Sequence, residues 1–199
     1  GPLSRAMTLR LCHQVAEIMA VAHQRGVVHR DLKPENVMLL RDPLVRGGER
    51  VKLLDFGIAK VSLSLEVPGG LRERTRAGAV LGTPLYMAPE QIRAKPIDGR
   101  VDVWALGVVM YRVLTGRAPF AGRSDSQYLI AVLEQQPRPF MELRADLAPE
   151  LGAVVMKALA KDPAARFGSA KELSDALEPF TRPSGRAPEI AAPARSSTP

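Results

Sequence analysis

His29-Arg30-Asp31-Leu32-Lys33-Pro34-Glu35-Asn36 sets a carboxylate, an ammonium and a primary amide side by side, near the start of a 199-residue chain. An aspartate with a reference pKa of about 3.9 is ionised at neutral pH and can accept a hydrogen bond from a hydroxyl, so Asp31 is a candidate proton acceptor. Lys33, two residues on, can offer its ammonium to a phosphate. Magnesium takes hard oxygen ligands. The carbonyl of Asn36 and the carboxylate of Asp55, in Asp55-Phe56-Gly57, are of that kind.

Outward from this stretch, Leu11, Val15, Ile18 and Ala22 recur at helical spacing with Met19 beside them. They predict a helix capped by Ser4 and ended by Gly26 in the left-handed conformation. Downstream, Val37-Met38-Leu39-Leu40 and Val51-Lys52-Leu53-Leu54 flank a polar, glycine-bearing stretch over residues 41–50, the pattern of a β-hairpin. Residues 58–87 lack periodicity and contain Pro68, Gly69, Gly70 and Gly78. A structureless stretch of that length inside a compact domain is usually functional or disordered. From Asp102 to Thr115 the chain is apolar on most sides, with Trp104, Leu106, Val108, Val109 and Val113, so a buried helix stopped at Gly116 is expected. Further helices are expected at 125–135, at 149–160 with Pro149 in the first turn, and at 170–178 behind the capping-box pattern Ser169-x-x-Glu172. Beyond Phe180 the Pro/Ala/Ser-rich sequence has too little apolar surface to order itself and reads as a linker. The fold class is mainly α: one helical domain over 1–180 with a small hairpin, then a tail over 181–199.

Composition narrows the function classes. With 46% apolar and 25% charged residues the chain can bury a substantial core. The net charge of +7 is spread over scattered arginines with no basic run interleaved with aromatics, which argues against nucleic acid as a partner. Cys12 is the only cysteine, so no internal disulfide can form, and its apolar surroundings suggest a buried structural thiol. No run of 18 apolar residues exists to span a membrane. His13 and His23 have no cysteine or carboxylate cluster around them and read as helix residues rather than metal ligands. Trp104 and Phe120 read as core.

Four blocks in order resemble the C-terminal lobe of a eukaryotic-type (Hanks-type) serine/threonine protein kinase, most like those of bacteria. They are the octapeptide His29 to Asn36, Asp55-Phe56-Gly57, Gly82-Thr83-Pro84-Leu85-Tyr86-Met87-Ala88-Pro89-Glu90, and Asp102-Val103-Trp104-Ala105-Leu106-Gly107. The resemblance implies transfer of the ATP γ-phosphate to Ser/Thr hydroxyls of protein substrates, with magnesium, or manganese in its place, as the metal. It makes Asp31 the proton acceptor and Lys33 a γ-phosphate contact. It makes Asn36 and Asp55 the metal ligands, Glu35 a backbone-carbonyl contact near the ribose, and Met38 part of the adenine floor. Glu90 would pair with Arg166, Asp102 would fix the catalytic-loop backbone, and His29 would pack behind the loop. Arg30 resembles the arginine that meets an activation-loop phosphate. Thr75 would be the phosphorylated residue, with Ser62 and Ser64 weaker candidates. Thr83 would contact Asp31 and Lys33. Lys60, Arg72, Arg74 and Arg76 read equally well as phosphate contacts or as solvated loop charge.

The sequence departs from the family pattern in lacking a Gly-x-Gly-x-x-Gly loop, a Val-Ala-x-Lys strand and a partner helix glutamate, so the amino-terminal β-lobe is expected to be absent. Catalytic inactivity of these residues alone, and an exposed apolar surface where that lobe would dock, are the corresponding expectations. The alternative reading is a non-catalytic kinase lobe acting as scaffold or regulatory module, against which the intact Asp31, Asn36 and Asp55 argue. A small-molecule phosphotransferase of the aminoglycoside-kinase kind would lack Lys33-Pro34 and Ala88-Pro89-Glu90. A cytoplasmic location, with or without a membrane-anchored remainder, fits the single cysteine.

Overall fold

The first helix, α1 (Arg5–Gln24), begins where the hydroxyl of Ser4 accepts the Met7 N–H at 3.2 Å. It ends at Arg25, followed by Gly26 at φ 74°. The computed structural model describes residues 4–56 and 84–182. α1 buries Leu9, Cys12, Ala16 and Met19, with Leu11 and Val15 alongside. Ile18 and Ala22, expected in the stripe, lie at its margin. The buried face is wide because helices on two sides claim it. Burial pushes the Cys12 thiol up to about 12, as befits a structural rather than reactive cysteine.

The hairpin pairs β1 (Val37–Arg41) with β2 (Glu49–Leu53) antiparallel, Val37 opposite Leu53 and Arg41 opposite Glu49. Gln14 of α1 clamps it: Nε2 donates to the Glu49 carbonyl at 3.0 Å, and Val51 N–H donates to Oε1 at 2.9 Å. Met38, Leu39 and Leu40 of β1 are each about 40% exposed, an apolar surface on the hairpin.

The remaining elements are α2 (Pro89–Ile92), α3 (Arg100–Thr115), α4 (Asp125–Glu134), α5 (Phe140–Leu143), α6 (Pro149–Ala158) and α7 (Ala170–Thr181). The architecture is thus mainly helical, with one two-stranded sheet among the described residues. α3 is the hub and packs against α1, α5, α6 and α7. Trp104 and Tyr111 on it are fully buried, and the indole stacks on Phe120 with ring centres 5.8 Å apart. α3 stops at Gly116, whose φ of 71° is the left-handed conformation that favours glycine. At Gly107 an added Cβ would lie 2.9 Å from the Ala158 Cβ, so α3 and α6 pack at a distance that only glycine allows.

Two expectations shift. Ser169 caps α7 by accepting the Glu172 N–H at 3.1 Å, but the Glu172 carboxylate reaches back to the Gly168 N–H at 2.9 Å instead of to Ser169. The reciprocal bond of a capping box is therefore displaced by one residue. α7 also runs past the expected end at 178, to Thr181. The short helices α2 and α5 were not anticipated, because four residues are too few to show a period. No helix among the described residues is long and apolar enough to cross a membrane.

Candidate active site

Residues 25–36 connect α1 to β1, and the loop takes its shape from a residue far along the chain. Asp102, in the first turn of α3 and 1% exposed, accepts the His29 N–H at 2.9 Å through Oδ2 and the Arg30 N–H at 2.8 Å through Oδ1. His23 Nε2 donates to the same Oδ2 at 2.8 Å. Held this way, Arg30 adopts φ 66°, a left-handed conformation costing a non-glycine residue about 1–2 kcal/mol. His29 is fully buried behind the loop. Its Nε2 lies 3.1 Å from the Leu54 carbonyl, which can only accept, so that nitrogen carries the proton. Nδ1 then accepts the Asp31 N–H at 3.4 Å, and Phe56 packs on the ring with centres 4.9 Å apart.

On this frame the polar groups converge. Lys33 Nζ lies 3.2 Å from Asp31 Oδ2, both side chains about one-fifth exposed. Asn36, 8% exposed, donates from Nδ2 to the Asp31 carbonyl at 2.9 Å. That bond uses one of the two amide N–H groups and turns the amide so that Oδ1 makes no hydrogen bond among the described residues, as suits a hard-oxygen ligand. The hairpin ladder continues one step beyond β1, Leu54 N–H donating to the Asn36 carbonyl at 2.9 Å. Asp55, exposed and at φ 50°, follows immediately, one residue beyond the backbone partner of Asn36. This donor set suits magnesium shared with phosphate oxygens. No group of three His, Cys, Asp or Glu able to cage a metal occurs among the described residues. Glu35 and Met38, flanking this stretch in sequence, are both exposed.

Arg30 Nε is buried and makes no hydrogen bond among the described residues. Thr75, Thr83, Gly57, the candidate serines Ser62 and Ser64, and the cations Lys60, Arg72, Arg74 and Arg76 lie outside the described residues. Further from the loop, Glu90 and Arg166 form a bidentate pair at 2.7 and 2.8 Å, with side chains 7% and 0% exposed.

Sequence reasoning missed two supports. Gln91 Nε2 donates to the Arg30 carbonyl at 3.0 Å while its Oε1 accepts the Ala88 N–H, tying α2 to the loop. His23, read as an ordinary helix residue, instead holds Asp102 from behind. Neither carries a local signal, since their partners lie 61 and 79 residues away.

Residues 1–177 match the family model described as protein kinase domain. Among relatives, serine/threonine-protein kinase Pkn1 of Myxococcus xanthus is 40% identical over 179 residues, covering 89% of this chain and 24% of that protein. Pkn3 of the same organism is also 40% identical, over 89% of this chain and 32% of its own length. PknB of Mycolicibacterium smegmatis is 38% identical over 87% of this chain and 26% of its length. The chain thus spans about a quarter to a third of these relatives. A loop of this sequence, pinned by an α3 aspartate and matched along residues 1–177, identifies the chain as a member of the protein kinase family, related to bacterial serine/threonine kinases.

Proposed function

We propose that the chain supplies the base, phosphate-contact and metal-binding half of a protein serine/threonine kinase acting on Ser/Thr hydroxyls of proteins in the cytoplasm. The observation that carries this is the convergence on one short loop of Asp31, Lys33 at 3.2 Å and Asn36 tied to the Asp31 backbone. In the proposed step the substrate hydroxyl oxygen attacks the γ-phosphorus and the bond to the ADP oxygen breaks. Asp31 accepts the hydroxyl hydrogen bond and takes the proton. Lys33 faces the γ-phosphate and restrains Asp31 meanwhile. Asn36 and Asp55 hold magnesium, or manganese, which when bound neutralises phosphate charge. Glu35 offers its carbonyl to the ribose and Met38 its side chain to the adenine. Arg30 meets a phosphate on Thr75, and Thr83 contacts Asp31 and Lys33. Asp102 and the Glu90–Arg166 pair hold the frame.

The domain is read as 1–180, with 181–199 as a linker. The 199 residues contain neither a glycine-rich loop nor a strand lysine, so alone they are proposed to be inactive toward protein substrates. The test is Asp31→Asn in the intact protein, assayed for phosphate transfer and for nucleotide binding. Loss of a positioned base should lower turnover by about 10²–10⁴-fold while nucleotide affinity stays within about threefold. Turnover near wild type would overturn the assignment of Asp31. Robust transfer by the 199 residues alone would overturn their inactivity.

A further inference from the structure

Between α2 with the segment that follows it and the turn at residues 161–163 lies a groove of about 440 Å³, a size that accommodates ligands. Its walls include Pro89, Pro96 and Pro163, and its cations are Arg93, Lys95 and Lys161. Nothing in the phosphoryl-transfer reading uses these cations.

The charges here are unbalanced. Glu90 also borders the groove, but both its oxygens are taken by Arg166, so that pair cancels. Arg93 and Lys95 are exposed and form no ion pair among the described residues. Lys161 is held over the Phe120 ring, 3.7 Å from its centre, and donates to the Val132 carbonyl near the end of α4. Burial, and then the like charges of Arg93 and Arg166, pull its pKa down to about 8. The remaining acid is Asp162, exposed, whose carboxylate caps the following turn by accepting the Ala164 N–H at 2.9 Å. Three cations less one carboxylate leave a local excess of +2.

That excess matches the charge of about −1.5 to −2 that one phosphoryl group carries on a single side chain. Carboxylates would need two residues to converge on the same small space. The exposed guanidinium of Arg93 suits the oxygens of such a group, and an arriving anion would relieve the repulsion among the cations. The proline walls give no purchase to a bare ion but can pack against apolar residues flanking a phosphorylated one.

We infer that this groove binds a peptide segment through a phosphorylated Ser or Thr side chain. Binding there needs neither ATP nor Asp31, so it stands or falls separately from the catalytic reading. Because the groove shares Glu90 with the buried ion pair, an occupant would bear on the segment that leads from residue 84 into α2.

The test uses fluorescence anisotropy on the intact protein with a labelled phosphothreonine peptide flanked by apolar residues, its unphosphorylated twin, and inorganic phosphate as competitor. The phosphopeptide should bind at least about tenfold tighter than the twin, and Arg93→Glu with Lys95→Glu should abolish that preference. Should charge reversal disturb the fold, Arg93→Gln with Lys95→Gln removes charge at exposed positions and should still weaken binding about fivefold or more. Asp162→Asn preserves the cap yet removes the rim's negative charge, so it should tighten binding. Equal affinity for the twin, unchanged affinity in the charge-removed variant, or full displacement by inorganic phosphate at the peptide's own concentration would each overturn the inference.

Discussion

Removing the two halves of the Glu90–Arg166 pair should have unequal consequences. The Arg166 guanidinium donates to both Glu90 oxygens and also to the carbonyls of Ala160 at 2.8 Å, Arg100 at 3.0 Å and Lys161 at 3.3 Å. The Glu90 carboxylate has no other hydrogen bond among the described residues. In Arg166→Leu a buried carboxylate is stranded and three carbonyls lose a donor. Breaking a buried pair from one side costs about 3–5 kcal/mol, and the orphaned carbonyls push the total toward the upper end. In Glu90→Gln the guanidinium loses its counter-charge and the amide nitrogen meets a second N–H, but the amide oxygen and three backbone carbonyls still accept from Arg166, so the loss should be smaller, about 2–3 kcal/mol. The difference is a large share of a typical net stability of about 5–15 kcal/mol. The assay is equilibrium urea unfolding, followed by far-UV circular dichroism and by the single tryptophan, Trp104, which lies 4.9 Å beneath the Arg166 guanidinium. A double variant, Glu90→Leu with Arg166→Leu, should be more stable than Arg166→Leu alone, because no charge is stranded. Equal losses in the two single variants, or a double variant worse than Arg166→Leu, would refute the reasoning that the uncompensated charge sets the penalty.

Gly107→Val should destabilise by about 1–3 kcal/mol or more, since even its Cβ meets that of Ala158 at 2.9 Å; an unchanged melting temperature would show that α3 and α6 separate freely. Lys161 has a folded pKa of about 8, below the unfolded value of about 10.4, so between these pH values the unfolded chain binds more protons. Stability relative to Lys161→Met should therefore rise as pH climbs from about 8 toward 10.4. A flat or falling difference would contradict the crowding of Lys161. Cys12, buried with its thiol raised to about 12, should resist alkylation at pH 8 until the protein is unfolded, which mass spectrometry after a timed iodoacetamide pulse would read; stoichiometric labelling of native protein is the contrary result.

What was legible in the sequence was whatever depends on neighbours along the chain. Ser4, Gly26 and Gly116 mark helix ends by backbone chemistry that acts over a turn or less, and the hairpin follows from two apolar runs around polar residues. The loop from His29 to Asn36 could be recognised as a motif. The family resemblance also singled out Asp102 as the residue that fixes the loop backbone, but the bond from His23, 79 residues away, and the reach of Gln14 and Gln91 to backbone that no periodicity marks carry no local signal. The α7 cap shows a finer limit. The pattern Ser169-x-x-Glu172 fixes which side chains meet at the helix start but not which of two adjacent N–H groups the glutamate chooses.

The aspartate beneath the loop also sets what can be transplanted. An octapeptide copied into another scaffold would carry Asp31, Lys33 and Asn36 but would leave Arg30 free to relax out of its left-handed conformation, swinging the carboxylate away from the lysine and amide. The smallest portable unit is therefore discontinuous. It is the loop, the last turn of α1 with His23, and the first turn of α3 with Asp102, held at a fixed spacing.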